Sequence, residues 1–141
     1  MTYKIVVLAI TASLCLACSP EKSDPLVGEI AGSIIVGQEA SATQPPYGLP
    51  LYPGAQVRSS LMDGMSMGVT VTATRDELSE FYSQALVARG YIVSAEGTDD
   101  GSVTINGDDR NDPKSGMTVA IHPDANDTSK FTLIFIAHRL P

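Results

Sequence analysis

Apolar positions in the second half of this chain recur with two different periods, and each change of period marks an element. At 67–74, Met67, Val69, Val71 and Ala73 alternate with Gly68, Thr70, Thr72 and Thr74, the two-residue period of a half-buried strand. At 74–90 the spacing becomes three and four: Leu78, Phe81, Tyr82, Ala85 and Leu86 form one stripe of a helix. Thr74 and Glu77 stand in the spacing of a capping box, Asp76, Glu77 and Glu80 place negative charge at the positive end of the helix dipole, and Gly90 can take the left-handed C′ position. A helix this short is marginal in isolation, so the stripe must lie on a sheet or another helix.

After Gly90 the two-residue period returns. Strands are predicted at 91–95, at 102–106 with Val103 and Ile105 on one face, and at 117–122 with Met117, Val119 and Ile121 on one face. The last, at 130–137, has Phe131, Leu133 and Phe135 on one face and Ile134 and Ile136 on the other, the pattern of a strand covered on both sides or meeting the N-terminal segment. Upstream, Val57 centres a short strand at 56–60, and Asp63-Gly64 fits a tight turn. The order is β-β-α-β-β-β-β. Alternating strands joined by short turns predict an α+β fold, one helix packed against a mainly antiparallel sheet.

The N-terminal third has a different composition. Lys4 is followed by an apolar run at 5–16, too short to cross about 30 Å of hydrocarbon but of the length of a signal h-region. It closes on LCLAC at 14–18, which resembles the lipobox of bacterial lipoproteins, with Ala17 before Cys18 and Cys15 standing where leucine is usual. The resemblance implies cleavage before Cys18, acylation of that residue as the lipidation site, and palmitate-type chains as the membrane contact. Ser19, in place of an inner-membrane-retaining aspartate, implies the outer membrane, facing the periplasm, in an organism with two membranes. An ordinary secretory signal cut near Ala17 and an uncleaved anchor are the competing readings. With Cys15 lost in the signal, no cysteine pair remains for a disulfide, so an extracytoplasmic domain must hold by its core.

Residues 18–51 are expected to be a flexible tether, punctuated by Pro20, Pro25, Pro45, Pro46 and Pro50. Within it, 26–36 is apolar enough to be a short helix or strand at the domain edge, or a self-association or membrane-surface segment. Tyr52 is expected to anchor the start of the folded domain at 52–141. Roughly 90 residues suffice for one core that buries about 60–65% of the unfolded surface.

Charge narrows the partners. The chain carries nine basic and sixteen acidic residues; losing Lys4 with the signal leaves eight against sixteen, a formal −8. No cluster of Lys and Arg with interleaved aromatics is present, so nucleic acid is not an expected partner, and a negative domain is a poor binder of anionic lipid. Asp99 with Asp100, and Asp108, Asp109 and Asp112 with Asn111, offer oxygen ligands in loops, but without the central glycine and terminal glutamate of an EF-hand; solvated turns are the simpler reading. The histidines, His122 and His138, are isolated near strand ends and accompany no HExxH, CxxC or nucleophile-elbow pattern. No catalytic residue and no cofactor is assigned.

YPGA at 52–55 and EFYSQALVARGY at 80–91, followed by strands, resemble small domains of bacterial envelope lipoproteins that share an FY…L…GY passage from helix to strand. Those are packing residues and turn formers, so the resemblance implies a common fold and no activity. The expected function is a noncatalytic, lipid-anchored envelope protein contacting an envelope protein partner, through an outer sheet face carrying Thr70, Thr72, Thr104 and Asn106. The alternative is a small-ligand or divalent-metal-binding module using the acidic loops or the histidine-bearing strand ends.

Overall fold

The computed structural model describes residues 34–62, 64–112 and 114–138. Its elements are β1 (Ile34–Val36), β2 (Gln56–Leu61), β3 (Ser66–Thr72), α1 (Arg75–Ala88), β4 (Ile92–Gly97), β5 (Val103–Asp108), β6 (Gly116–Pro123) and β7 (Lys130–Ala137), with short 3-10 turns at Ala40–Ala42 and Pro46–Gly48. The strands form one sheet in the order β1-β2-β3-β7-β6-β5-β4, antiparallel throughout. The fold is therefore α+β, with one helix packed on an antiparallel sheet. One strand, β1, lies ahead of the expected order.

Two meanders meet in this sheet. β1, β2 and β3 run as consecutive hairpins, α1 carries the chain over one face to the far edge, and β4 to β7 return strand by strand until β7 closes against β3. The helix contacts β4, β5 and β6. Its ends are built as the sequence requires. Thr74 Oγ1 accepts from the Glu77 N–H at 3.3 Å, and a Glu77 carboxylate oxygen accepts from the Thr74 N–H at 2.9 Å, completing the capping box. At the other end Gly90, at φ +87°, donates to the Val87 carbonyl and Tyr91 to the Leu86 carbonyl, the paired bonds of a Schellman motif.

The inner face carries the core. Val57, Met67, Val69, Val71, Val103, Ile105, Met117, Val119, Ile121, Phe131, Leu133 and Phe135 are buried in one core together with Leu78, Tyr82 and Leu86 of the helix. Phe81 is only half-buried, because it sits at the flank of the stripe, where its ring meets Tyr52 and Tyr82 edge-on at 5.2 and 5.0 Å. Tyr82 continues the series onto Phe135 at 5.3 Å.

The expected tether, residues 18–51, is structured over its described part. Ile34–Val36 pairs with β2, and the segment that follows crosses the half of the inner face that α1 leaves open. There Ala40 is fully buried and Leu49 nearly so, and Tyr52 adds its ring to the edge of the core. The physical reason is width: one helix is about 10–12 Å across with its side chains, whereas seven strands at about 4.8 Å span roughly 30 Å. A seven-stranded face needs a second cover, and the proline-rich segment provides it without periodicity. Arg89 fastens the two covers together, donating to the carbonyls of Ala85 and Gly48.

A register shift between Val57 and Ser59 in β2 leaves Arg58 as a bulge. It resets the alternation, so Ser60 turns inward opposite Ile35 and Met67; its hydroxyl is buried with no hydrogen-bond partner among the described residues.

Candidate functional site

The outer face of the sheet is the larger surface that the fold leaves uncovered among the described residues. Its composition follows from the register. Ile34, Leu61, Ser66, Ile136, Thr118, Asn106 and Ser94 fall in one row across the strands. Val36, Ser59, Gly68, Ile134, Ala120, Thr104 and Glu96 fall in the next. In these two rows the apolar side chains Ile34, Val36, Leu61, Ala120, Ile134 and Ile136 lie on β1, β2, β6 and β7, whereas the next row, Gln56, Thr70, Thr132 and His122, and the β5–β4 side are polar. Ile34, Val36 and Ile136 are 47, 63 and 41% exposed, which marks a contact surface more strongly than scattered single apolar residues would.

All four residues expected on this face are found there. Thr104 and Asn106 lie on β5, Thr70 and Thr72 on β3, with β6 and β7 between the pairs. Thr70 accepts from Arg58 Nε at 2.9 Å, so the bulge residue folds back over the face. The expectation that β7 is covered on both sides is not met by the described residues: Ile134 is half-buried among its neighbours and Ile136 is exposed. β1 lies beside β2 in the plane of the sheet and does not cover the face.

The histidines are tied into polar networks on this face. Thr118 Oγ1 donates to Asn106 Oδ1 at 2.8 Å and lies 2.8 Å from His138 Nε2, an arrangement that makes Nε2 the donor. His122 Nδ1 is 3.1 Å from the hydroxyl of Ser102, whose own N–H donates to Asp100 at 2.9 Å. Sequence reading missed the Ser102–His122 pairing because twenty positions separate the two and only the β5–β6 register brings them together. Its geometry is not that of a nucleophilic triad. The carboxylate of Asp100 accepts from Thr98 Oγ1 and from Ser102, and no bond from it orients the His122 ring. Those bonds to Thr98 and then Ser102 hold the Asp100 carboxyl below the usual carboxylate range, with His122 adding a smaller pull.

The acidic residues are placed as turn formers. Asp99 and Asp100 occupy the β4–β5 turn, while Asp108, Asp109 and Asp112 lie at the opposite end of β5, about 20 Å away for a strand of that length. Asp109 accepts from the Asn111 N–H at 2.8 Å and Asp112 from the Lys114 N–H at 3.1 Å, each closing a local turn. Among the described residues no three His, Cys, Asp or Glu side chains converge on a point where a cation would sit. The strongest carboxylate perturbation lies elsewhere: the Lys130 ammonium, 2.7 Å away, and then Ser129 hold Asp127 at about 2.

Two concavities adjoin β2. One of about 440 Å³ is lined by Gly37, Gln38, Ser41, Leu51, Val57 and Arg58, and one of about 230 Å³ by Gln56, Arg58, Thr70, Thr72, Asp124 and Lys130. Both are open to solvent, and neither gathers converging buried polar groups of the kind that orient a small ligand. Cys18 and the LCLAC sequence lie outside the described residues, and no described helix is long and apolar enough to cross a membrane. No family model matches this chain, no curated protein is found similar to it, and no solved structure matches its fold.

Proposed function

We propose that this chain is a lipid-anchored, noncatalytic envelope protein whose domain binds another envelope component through one side of its sheet. The observation that carries the interaction is the outer face that the described residues leave uncovered, on which Ile34, Val36 and Ile136 stand exposed among polar neighbours, opposite a packed core. Anchoring is supported by the LCLAC sequence ending at Cys18. Cys18 stands sixteen positions before the first described strand, so the anchoring chemistry and the described core occupy different stretches of the sequence.

Two measurements test the two halves of this reading. Mass spectrometry of the protein from its native membrane is expected to find a mature N-terminus at Cys18 carrying acyl chains; cleavage elsewhere or an unmodified thiol overturns the anchoring. In-cell photocrosslinking from position 134 or 136, with position 87 on the exposed side of α1 as a control, is expected to capture a discrete partner from the sheet positions alone. Equal or absent capture at all three overturns the interaction.

A further inference from the structure

Among the described residues nothing pairs with the outer edge of β4, and that edge is built differently from one that a protein protects. β4 is six residues long, terminal in the strand order, and exposed along almost its whole length. Solitary proteins blunt such edges with lysine, proline, a bulge or a very short strand. The sequence of β4, IVSAEG, uses none of these; its single charged residue is Glu96.

The adjoining turn fixes which backbone groups face outward. Thr98 donates to the Ser102 carbonyl at 2.9 Å and Gly101, at φ +84°, donates to the Thr98 carbonyl at 3.0 Å, the pattern of a type I turn with a glycine bulge. Hydrogen-bonded and non-hydrogen-bonded pairs alternate along an antiparallel ladder. Counting back from Thr98, the Glu96–Thr104, Ser94–Asn106 and Ile92–Asp108 pairs bond within the sheet. Val93, Ala95 and Gly97 therefore direct their N–H and C=O groups away from it. Ala95 and Gly97 are too small to screen them.

Charge selects the occupant. Glu96 stands on the strand, and Asp99 and Asp100 follow in the turn, so this end of the edge is acidic throughout. Self-pairing centred on Ser94 would set Glu96 against Ile92 of a second copy and join two chains of formal charge −7. A basic extended segment meets neither obstacle. Resting on the interaction reading above, we infer that β4 is a docking edge for an extended segment of another protein with a lysine or arginine opposite Glu96, added to the sheet as a further strand.

The test titrates the isotopically labelled full-length chain with the peptide Lys-Val-Thr-Val-Thr-Val-Lys, its ends blocked, and with the same peptide carrying Glu in place of Lys. Saturable binding of the lysine peptide is expected, with slowed amide exchange at Val93, Ala95 and Gly97. The glutamate peptide should bind about two- to fivefold more weakly per charge pair exchanged. Ala95→Pro removes an outward N–H without touching the β4–β5 ladder and should abolish binding. Glu96→Lys, an exposed substitution that leaves folding intact, should invert the preference between peptides. The edge assignment is overturned by absent binding, by equal affinity for both peptides in the parent and the Glu96→Lys chain, or by protection confined to Thr70, Thr104 and Ile134. In the last case the interaction reading survives on the outer face of the sheet without the edge, and partner capture from position 134 decides that reading independently.

Discussion

The backbone N–H of Tyr52 donates to the phenolic oxygen of Tyr82 at 3.1 Å, joining the proline-rich N-terminal cover to the centre of the helix across thirty positions of sequence. Tyr82 is fully buried, so its hydroxyl can serve no other purpose as cheaply as accepting this bond. Tyr82→Phe keeps the ring and orphans the Tyr52 donor. It is expected to destabilise the protein by about 1–2 kcal/mol in urea unfolding; an unchanged midpoint would show that this bond contributes nothing to stability.

Burial pushes the Tyr82 phenol up to about 12. The unfolded chain ionises near the ordinary value of 10.0 while the folded chain retains the proton, so stability falls as pH rises from about 10 to about 12. Tyr82→Phe should lose that part of the alkaline slope, measured as unfolding midpoints from pH 9 to pH 12.

Leu78 and Phe81 share the helix stripe but differ in what surrounds them. Leu78 is fully enclosed, and Leu78→Ala should cost about 2–5 kcal/mol through lost transfer and a cavity. Phe81 keeps one side in water, so Phe81→Ala should cost less, about 1–3 kcal/mol, from its partial burial and edge-on contacts with two tyrosines. Chemical denaturation of the two variants checks the ranking, and a larger loss at Phe81 would contradict the packing described.

Gly116 opens β6 directly opposite Asp108, and a Cβ there would lie 2.5 Å from the Gly107 carbonyl oxygen. Backbone cannot move aside as a side chain can. Gly116→Ala is expected to destabilise by about 1–3 kcal/mol, with peak shifts along β5 in an amide correlation spectrum. At Gly68 the nearest atom is the Ser59 hydroxyl, at 2.7 Å, which a rotamer change relieves; Gly68→Ala should therefore be the milder substitution.

Asp127 accepts from the Ser129 N–H at 3.1 Å and its hydroxyl at 2.6 Å, besides pairing with Lys130. Its folded carboxyl, at about 2, lies below the ordinary 3.8, so the stability it supplies is present above about pH 4 and disappears as pH falls towards 2. Carbon-detected titration of the Asp127 carboxyl should give a midpoint near 2. A midpoint at the ordinary value would remove the Lys130 and Ser129 bonds from the description of this turn.

Local chemistry made part of this protein legible in its sequence. The capping box at Thr74, the left-handed Gly90 and the stripe through Leu78, Tyr82 and Leu86 are relations within a few residues, and the helix obeys them. The alternation of β7 likewise told its inner from its outer face, since neighbouring side chains on a strand must point opposite ways. Thr70, Thr72, Thr104 and Asn106 were placed on the outer face by that same rule.

What the tertiary structure alone decided involves partners distant in sequence. The closure of β7 on β3, the pairing of Ser102 with His122, and the edge position of β4 depend on strand order, which periodicity does not encode. The packing of the segment from Ile34 to Leu51 is not legible in the sequence, because prolines and glycines carry no period. That segment is ordered by burying Ala40 and Leu49 over the part of a seven-stranded face that a single helix is too narrow to cover.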